Sequence, residues 1–385
     1  MRADSMSAHT PTPVVVEAVR TPQGREGGVF ADVRSEDLSV PLVETILERT
    51  GLEGADVDDL LWGVAQQRAE QGNNLARVVA MLVGLESVPG ATINRWCASS
   101  AAAIARAADA VASGQRRCLL VGGVENMSRV AIEGNVDNVH PDLGERYALE
   151  SLGMGATAEA VADRFDVSRK AQDEYALRSH ERAAAATESG RFDDEIVPVD
   201  VDGTVVDTDE CIRPDTSLEA LADLPTVFAE DGSVTPGNAS QISDGAAALL
   251  VTSRAFAEEH GLEPLAVVGD HEVAGVDPTI MGVGPVHAVG RLEERTGRDP
   301  DDYDLVELNE AFASQTLYCK RELGFDDAVF NVNGGAIALG HPLGASGARL
   351  PVTLLHELRR RDGELGLATE CVGHGQGMAI EFHAL

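Results

Sequence analysis

Lysine is almost missing from this chain of 385 residues: of 30 basic residues, only Lys170 and Lys320 are lysines and the rest are arginines. Against 64 acidic residues this gives a formal net charge of −34. A surface so negative repels phosphate backbones and excludes nucleic acid as a partner. No stretch reaches the ~18 continuous apolar residues of a membrane span, which excludes a membrane-embedded role. Residues 1–13 lack the apolar core of a secretion signal and read as a disordered arm, with Met6 as an alternative start. Cys-x-x-Cys is absent. The five cysteines, Cys97, Cys118, Cys211, Cys319 and Cys371, are odd in number within a long chain, which fits reduced thiols in a cytoplasmic protein. Gly-x-x-x-x-Gly-Lys is also absent, which excludes a P-loop.

What is present is 44% hydrophobic residues and 39 glycines, enough for sizeable cores in two or three domains. The acids are scattered along the whole chain rather than gathered in one tract. That distribution reads as adaptation to concentrated salt, where a short Debye length makes self-repulsion tolerable, and points to a halophile.

Strands and helices alternate. Strands are expected at Val14–Val16, Leu60–Val64, Ala91–Asn94 and Cys118–Val121, with helices from Asp37, Asn73 and Ala101 between them. This pattern implies a parallel sheet in an α/β fold. From 125 to 241 the texture changes, with a long helix capped by Ser168 and an acidic irregular stretch from Asp200 to Asp215. The strand at Ala246–Thr252 resumes the pattern. A further run begins near Val267, with strands at Leu305–Leu308 and Val329–Asn333, helices from Glu310 and Ala345, and a closing strand pair. A weak internal repeat links the halves: a strand, a loop with Cys97 and a small-residue helix are mirrored by Asn331–Asn333, a loop with His341 and the helix at Ala345.

Cys97 precedes a helix, whose N-terminus is expected to lower the thiol pKa, although a lone cysteine is as readily an inert core residue. His341 sits in a loop crowded with glycine, the kind that fixes one side chain against a ligand. Cys371 lies at a strand end beside glycines and suits proton shuttling. His374 invites a Cys/His metal site, but no pair has regular ligand spacing, so no metal is expected. Asn309, at a strand-to-helix junction, either caps the helix or donates within a site.

Several motifs converge: Asn94-Arg-x-Cys97-x-Ser99, Gly122-Gly-x-Glu125-x-Met-Ser128, Met154-Gly-x-Thr-Ala-Glu159, Asn309-Glu-Ala-Phe312, Gly340-His-Pro-Leu-Gly-Ala-Ser-Gly347 and Cys371-x-Gly373. In this order, and over nearly its full length, the chain resembles the thiolases. The resemblance implies two similar βαβαβαββ halves stacked as a five-layer αβαβα sandwich with an inserted loop domain. The N-terminal half would be 14–124 plus 242–266, the loop domain over CoA 125–241, and the C-terminal half 267–385. It implies Cys97 as acyl-accepting nucleophile, His341 as its base and Cys371 as the second acid/base. Asn309 would hold a water that with His341 forms one oxyanion site, and the amides of Cys97 and Gly373 would form the other. Met154, Phe228, Ser240 and Met281 would line the CoA and acyl tunnel.

Coenzyme A would be a substrate, with no other cofactor and CoA thioesters as partners. The assembly would be a homodimer or homotetramer, with or without a small accessory subunit. Cleavage of 3-ketoacyl-CoA or the reverse Claisen condensation is the implied activity. The alternatives are an acetoacetyl-CoA-specific enzyme and a non-catalytic acyl-CoA-binding subunit of the same fold. Ser100, Pro236 and His374 depart from the family pattern, as does Gly153, where short-chain biosynthetic members often carry His.

Overall fold

The computed structural model describes residues 10–132 and 139–385. Most of the expected disordered arm, residues 1–9, lies outside the described residues, and its last residue, Pro13, already belongs to the first strand. The first half runs β1 (Pro13–Arg20), β2 (Gly24–Arg25), α1 (Ser35–Thr50), β3 (Asp59–Gly63), α2 (Leu75–Leu82), β4 (Gly90–Ile93), α3 (Ser99–Ala112) and β5 (Cys118–Asn126). An intervening segment carries α4 (Met154–Arg164), α5 (Arg169–Glu188), a small hairpin of β6 (Val199–Val201) and β7 (Thr204–Val206), and α6 (Leu218–Ala222). The chain then returns through β8 (Ser243–Ser253) and α7 (Arg254–Glu259). The second half is β9 (Ala266–Gly275), α8 (Gly284–Thr296), β10 (Leu305–Leu308), α9 (Ala313–Leu323), α10 (Ala336–Leu339), α11 (Leu343–Arg361), β11 (Leu365–Val372) and β12 (Gln376–Ala384).

The strand order shows the repeat. One half reads β4-β3-β5-β8-β1 and the other β10-β11-β12-β9, and the two join where Val14 and Val15 pair with Val267 and Ala266. In the first half β3 is parallel to β4 and β5, and β8 is antiparallel to β5 and β1. The second half repeats this with β10 parallel to β11, and β12 antiparallel to β11 and β9. Its counterpart of β4 is reduced to a single parallel bridge between Phe330 and Val306.

Alternation along β5 shows how the layers stack. Leu119 and Val121 face a core shared with α3 and α11, whereas Cys118 and Leu120 face a second core shared with α1 and α2. On the far side of the second half, Leu308, Leu367 and Ala379 pack with residues of α8 and α9. The result is helices, sheet, helices, sheet, helices. α3 and α11 form the middle layer and contact each other and both sheets. A helix covered all round must be apolar or small all round; α3 reads Ser-Ser-Ala-Ala-Ala-Ile-Ala, and α11 is buried continuously from Leu343 to Leu355. Their approach is close: a Cβ on Gly347 would lie 2.5 Å from the Ala101 nitrogen.

Three local expectations are corrected. Val329–Asn333 is not a strand, because Asn331 turns to φ +43° and its side chain bonds both the N–H and the C=O of Leu308. The helix expected from Glu310 starts at Ala313, since Glu310 is a buried acceptor rather than a helix residue. The helix expected from Asn73 to Leu85 is only α2, bounded by positive φ at Asn73, Asn74 and Gly84.

Candidate active site

The turn between β4 and α3 is built to present one side chain. Asn94 Oδ1 accepts from the Trp96 N–H at 2.9 Å, and Ser99 Oγ accepts from the Arg95 N–H at 2.9 Å and donates to the Trp96 carbonyl at 2.6 Å. These bonds hold Trp96 at φ +48°, a strained region for an indole residue. Cys97 follows it, 3% exposed and at the wall of a cavity of about 550 Å³.

His341 reaches the same cavity from the other half, on the loop between α10 and α11. Its Nδ1 lies 2.6 Å from Ser346 Oγ, and that hydroxyl donates its proton to the Pro342 carbonyl at 3.0 Å. The hydroxyl therefore accepts from Nδ1–H, which leaves Nε2 as the nitrogen with a free lone pair. Burial, with Arg349 adding to it, pushes the His341 pKa down to about 3, so the ring is neutral at ordinary pH. The Asn309 amide nitrogen lies 3.3 and 3.4 Å from the two ring nitrogens, and its Oδ1 has no partner among the described residues.

Cys371 ends β11 just behind the cavity wall, packed with Met281, Ala311 and Phe312. Burial pushes its thiol up, and Cys319 and Glu370 add to that. The expectation for Cys97 is overturned. Burial first, then Cys371 and Glu370, hold its thiol well above the ordinary range, although the backbone N–H groups of Gly373 and of Cys97 itself pull the other way. Desolvation of the anion outweighs two peptide dipoles, so the resting pair is a thiol and a neutral imidazole. Gly373 is held against the turn: a Cβ there would sit 3.0 Å from Trp96 Cγ, and the His374 ring stacks edge-on to that indole at 5.1 Å.

Met154, Phe228, Ser240 and Met281 all line the cavity with Cys97 and His341, whereas Asn309, Cys371 and Gly373 stand behind its surface. Phe228, 50% exposed, marks the mouth. Gly153 also lines it, as do Met127, Leu343 and Phe312, which had not been singled out as tunnel residues. Pro236 lies in a separate small cavity beside His180 and Arg213, and Ser100 is buried with a hydroxyl that has no partner among the described residues. Among the described residues no cluster of three or more His, Cys, Asp or Glu suits a metal ion. Two acids of the motifs, Glu125 and Glu310, support the site from behind. Glu125 accepts from the N–H groups of Ala65, Gln66 and Gly344. Glu310 accepts from Tyr175 and Ser179 of α5 and from the Ile337 N–H. Their roles depend on what lies opposite them in the fold.

Comparison with known proteins gives the family. The family model described as "Thiolase, N-terminal domain" matches residues 13–255, and "Thiolase, C-terminal domain" matches 262–384. The chain belongs to the thiolase family. Among relatives of this thiolase, the 3-ketoacyl-CoA thiolase of Cronobacter sakazakii is 48% identical over 96% of this chain and 98% of its own. That of Marinomonas sp. is 48% identical over 96% and 97%. The crystal structure of Bacillus anthracis acetyl-CoA acetyltransferase superposes with a TM-score of 0.91 at 40% identity, covering 98% of this chain and 100% of its own. Human mitochondrial 3-ketoacyl-CoA thiolase in complex with CoA superposes at 0.90 with 39% identity and 98% of each chain. No helix of the described residues is long and apolar enough to cross a membrane.

Proposed function

We propose that this thiolase cleaves 3-ketoacyl-CoA with CoA and runs the reverse Claisen condensation through one acyl-cysteine. Nε2 of His341 takes the Cys97 proton as the sulfur attacks the 3-keto carbon, which avoids a free thiolate in a buried site. The C2–C3 bond then breaks, Cys371 gives its proton to C2, and acetyl-CoA leaves. The thiol of a second CoA attacks the acyl-Cys97 carbonyl, its proton returns to the enzyme, and the shortened acyl-CoA departs. The amides of Cys97 and Gly373 stabilise one oxyanion. A water held by Asn309, together with His341, stabilises the other; each such donor is worth roughly 3–4 kcal/mol. The unpartnered Oδ1 of Asn309 supports that role.

The observation that carries this reading is the single cavity joining Cys97 and His341 to Met154, Phe228, Ser240 and Met281, a mostly apolar channel, with Ser240, Gln241 and Glu150 as polar points on its wall, that suits a pantetheine arm. Segment 125–241 is read as the domain covering that arm. Gly153, small where a histidine would narrow the wall, favours a wide acyl range, and the reading places that activity in β-oxidation in the cytoplasm. A homodimer or homotetramer is supported by Met81 and Leu82 of α2, each 56% exposed beside the unpaired edge of β4.

A chain-length series of 3-ketoacyl-CoA substrates in high salt tests the reading, with mass spectrometry of the trapped acyl-enzyme. Mass added at Cys97 across several chain lengths is expected. Strict preference for acetoacetyl-CoA overturns the range, and turnover retained by Cys97→Ser overturns the mechanism. The net charge of −34 supports a halophilic source; activity that does not fall at low salt counts against it.

A further inference from the structure

Glu370 is a carboxyl that the reaction does not use, placed beside the cysteines that it does. It precedes Cys371 on β11 and, by strand alternation, points the other way, with Ala368 and Val372, into the layer of α3 and α11. Its Oε1 lies 2.7 Å from where a Cβ on Gly347 would sit, at the meeting of α11 with Ala101 of α3. The residue is 1% exposed, and its Oε2 has no hydrogen-bond partner among the described residues. Glu307 stands on the same face of the sheet, opposite Ala368. Arg349, also 1% exposed, attracts both carboxyls; its Nη1 reaches Glu307 at 3.3 Å, while Nε and Nη2 have no partner among the described residues.

One buried cation does not neutralise two buried carboxylates, so the set retains a proton. Burial pushes Glu307 up to about 8 and carries Glu370 well above the usual carboxylate range, in each case against the pull of Arg349. The charged and titratable groups that face Glu370 are Arg349 from α11, Glu307 from β10, Cys97 ahead of α3, and Cys371 on its own strand. The α3 helix meets it with Ala101, and β12 sets Met378 opposite. Both thiols register Glu370 as a like charge.

We propose that Glu370 is a positioning residue for the reactive thiols: protonated, it leaves them undisturbed, and ionised, it suppresses thiolate formation at Cys97 and Cys371, setting the alkaline limit of their reactivity. The consequence for turnover rests on the thiolase reading; the test reads the thiols directly. Iodoacetamide alkylation of Cys97 and Cys371 is followed by peptide mass from neutral to alkaline pH in the full-length protein. Glu370→Gln is expected to match the unaltered protein near neutral pH and to react faster above it, by about tenfold for each unit that the thiol midpoint falls. Glu370→Leu, neutral and apolar, is expected to diverge in the same way, so that a folding defect in one variant does not decide the outcome; thermal melts check both. Superimposable profiles overturn the proposal, as does a rate difference equal at every pH, the mark of altered access. Diverging profiles in a protein without thiolytic turnover sink the thiolase reading and leave this one standing.

Discussion

The Glu125 carboxylate accepts a hydrogen bond of 2.9 Å from the backbone N–H of Gly344, 219 residues further along the chain. That bond ties the end of β5 in one half to the first turn of α11 in the other, three residues after His341. The same carboxylate also takes the N–H groups of Ala65 and Gln66. Glu125→Ala leaves these donors unpartnered, at about 1–3 kcal/mol each. A lower Tm is expected, with kcat falling more than CoA-ester affinity because the His341 loop loses its anchor. Melting curves and steady-state kinetics check this; an unaltered kcat would refute the anchoring role.

His341, the proposed base, is already unprotonated at rest. With its pKa at about 3 against an ordinary 6.5, it imposes no acid limb on the acylation rate until the pH approaches 3. The stability sign follows: below 6.5 the unfolded chain takes up a proton that the folded ring refuses, so stability declines from 6.5 towards 3. His341→Asn should cut acylation by about 10²- to 10⁴-fold and remove that share of the acid destabilisation. Ser346→Ala, which frees Nδ1, should lower kcat less while leaving KM nearly unchanged. Stopped-flow acylation of Cys97 across pH reads all of these.

In the proposed mechanism Cys371 and Cys97 divide the labour. Cys371→Ala should still accept an acetyl group on Cys97 from acetyl-CoA, because that half-reaction needs no carbanion. Thiolysis and condensation should fall by about 10²- to 10⁴-fold. Intact-mass detection of the acetyl-enzyme beside a turnover assay separates the two steps. A variant that condenses at the normal rate would remove Cys371 from the mechanism.

Glu293 on α8 gives a pH effect far from the chemistry. Burial, then the like charges of Asp299 and Glu381, push its pKa from 4.5 up to about 7, and its Oε1 has no partner among the described residues. A raised carboxyl pKa contributes stability that is complete below 4.5 and lost as pH rises through about 7. Glu293→Gln should therefore melt with the unaltered protein at pH 4.5 and above it at pH 8.5. Equal melting temperatures at both values would show the carboxyl to be as well solvated as in the unfolded chain.

The parts of the fold written as repeating local signals were legible. Leu305–Leu308 reads as a strand and is β10, and Ser168 caps α5 through a bond to the Ala171 N–H. What escaped depends on neighbours distant in sequence. Asn331 abandons the strand because its amide finds both backbone groups of Leu308. The Cys97 thiol sits above its ordinary range because the closing of two halves strips it of water. Motif position pointed to Met154, Phe228, Ser240 and Met281, and the fold brings them to one cavity; Leu343 and Met127 stand in motifs too, but that they face this cavity is decided by tertiary packing.

The crossing of α3 and α11, closed by the small residues Ala101 and Gly347, also governs when reactivity appears during folding. Cys97, the proposed nucleophile, stands at the head of one of these helices and His341, the proposed base, at the head of the other, and each helix comes from a different half. Neither half released alone from the ribosome holds a working pair. The thiol of the first half therefore has no base to take its proton until some 240 further residues have been made and docked.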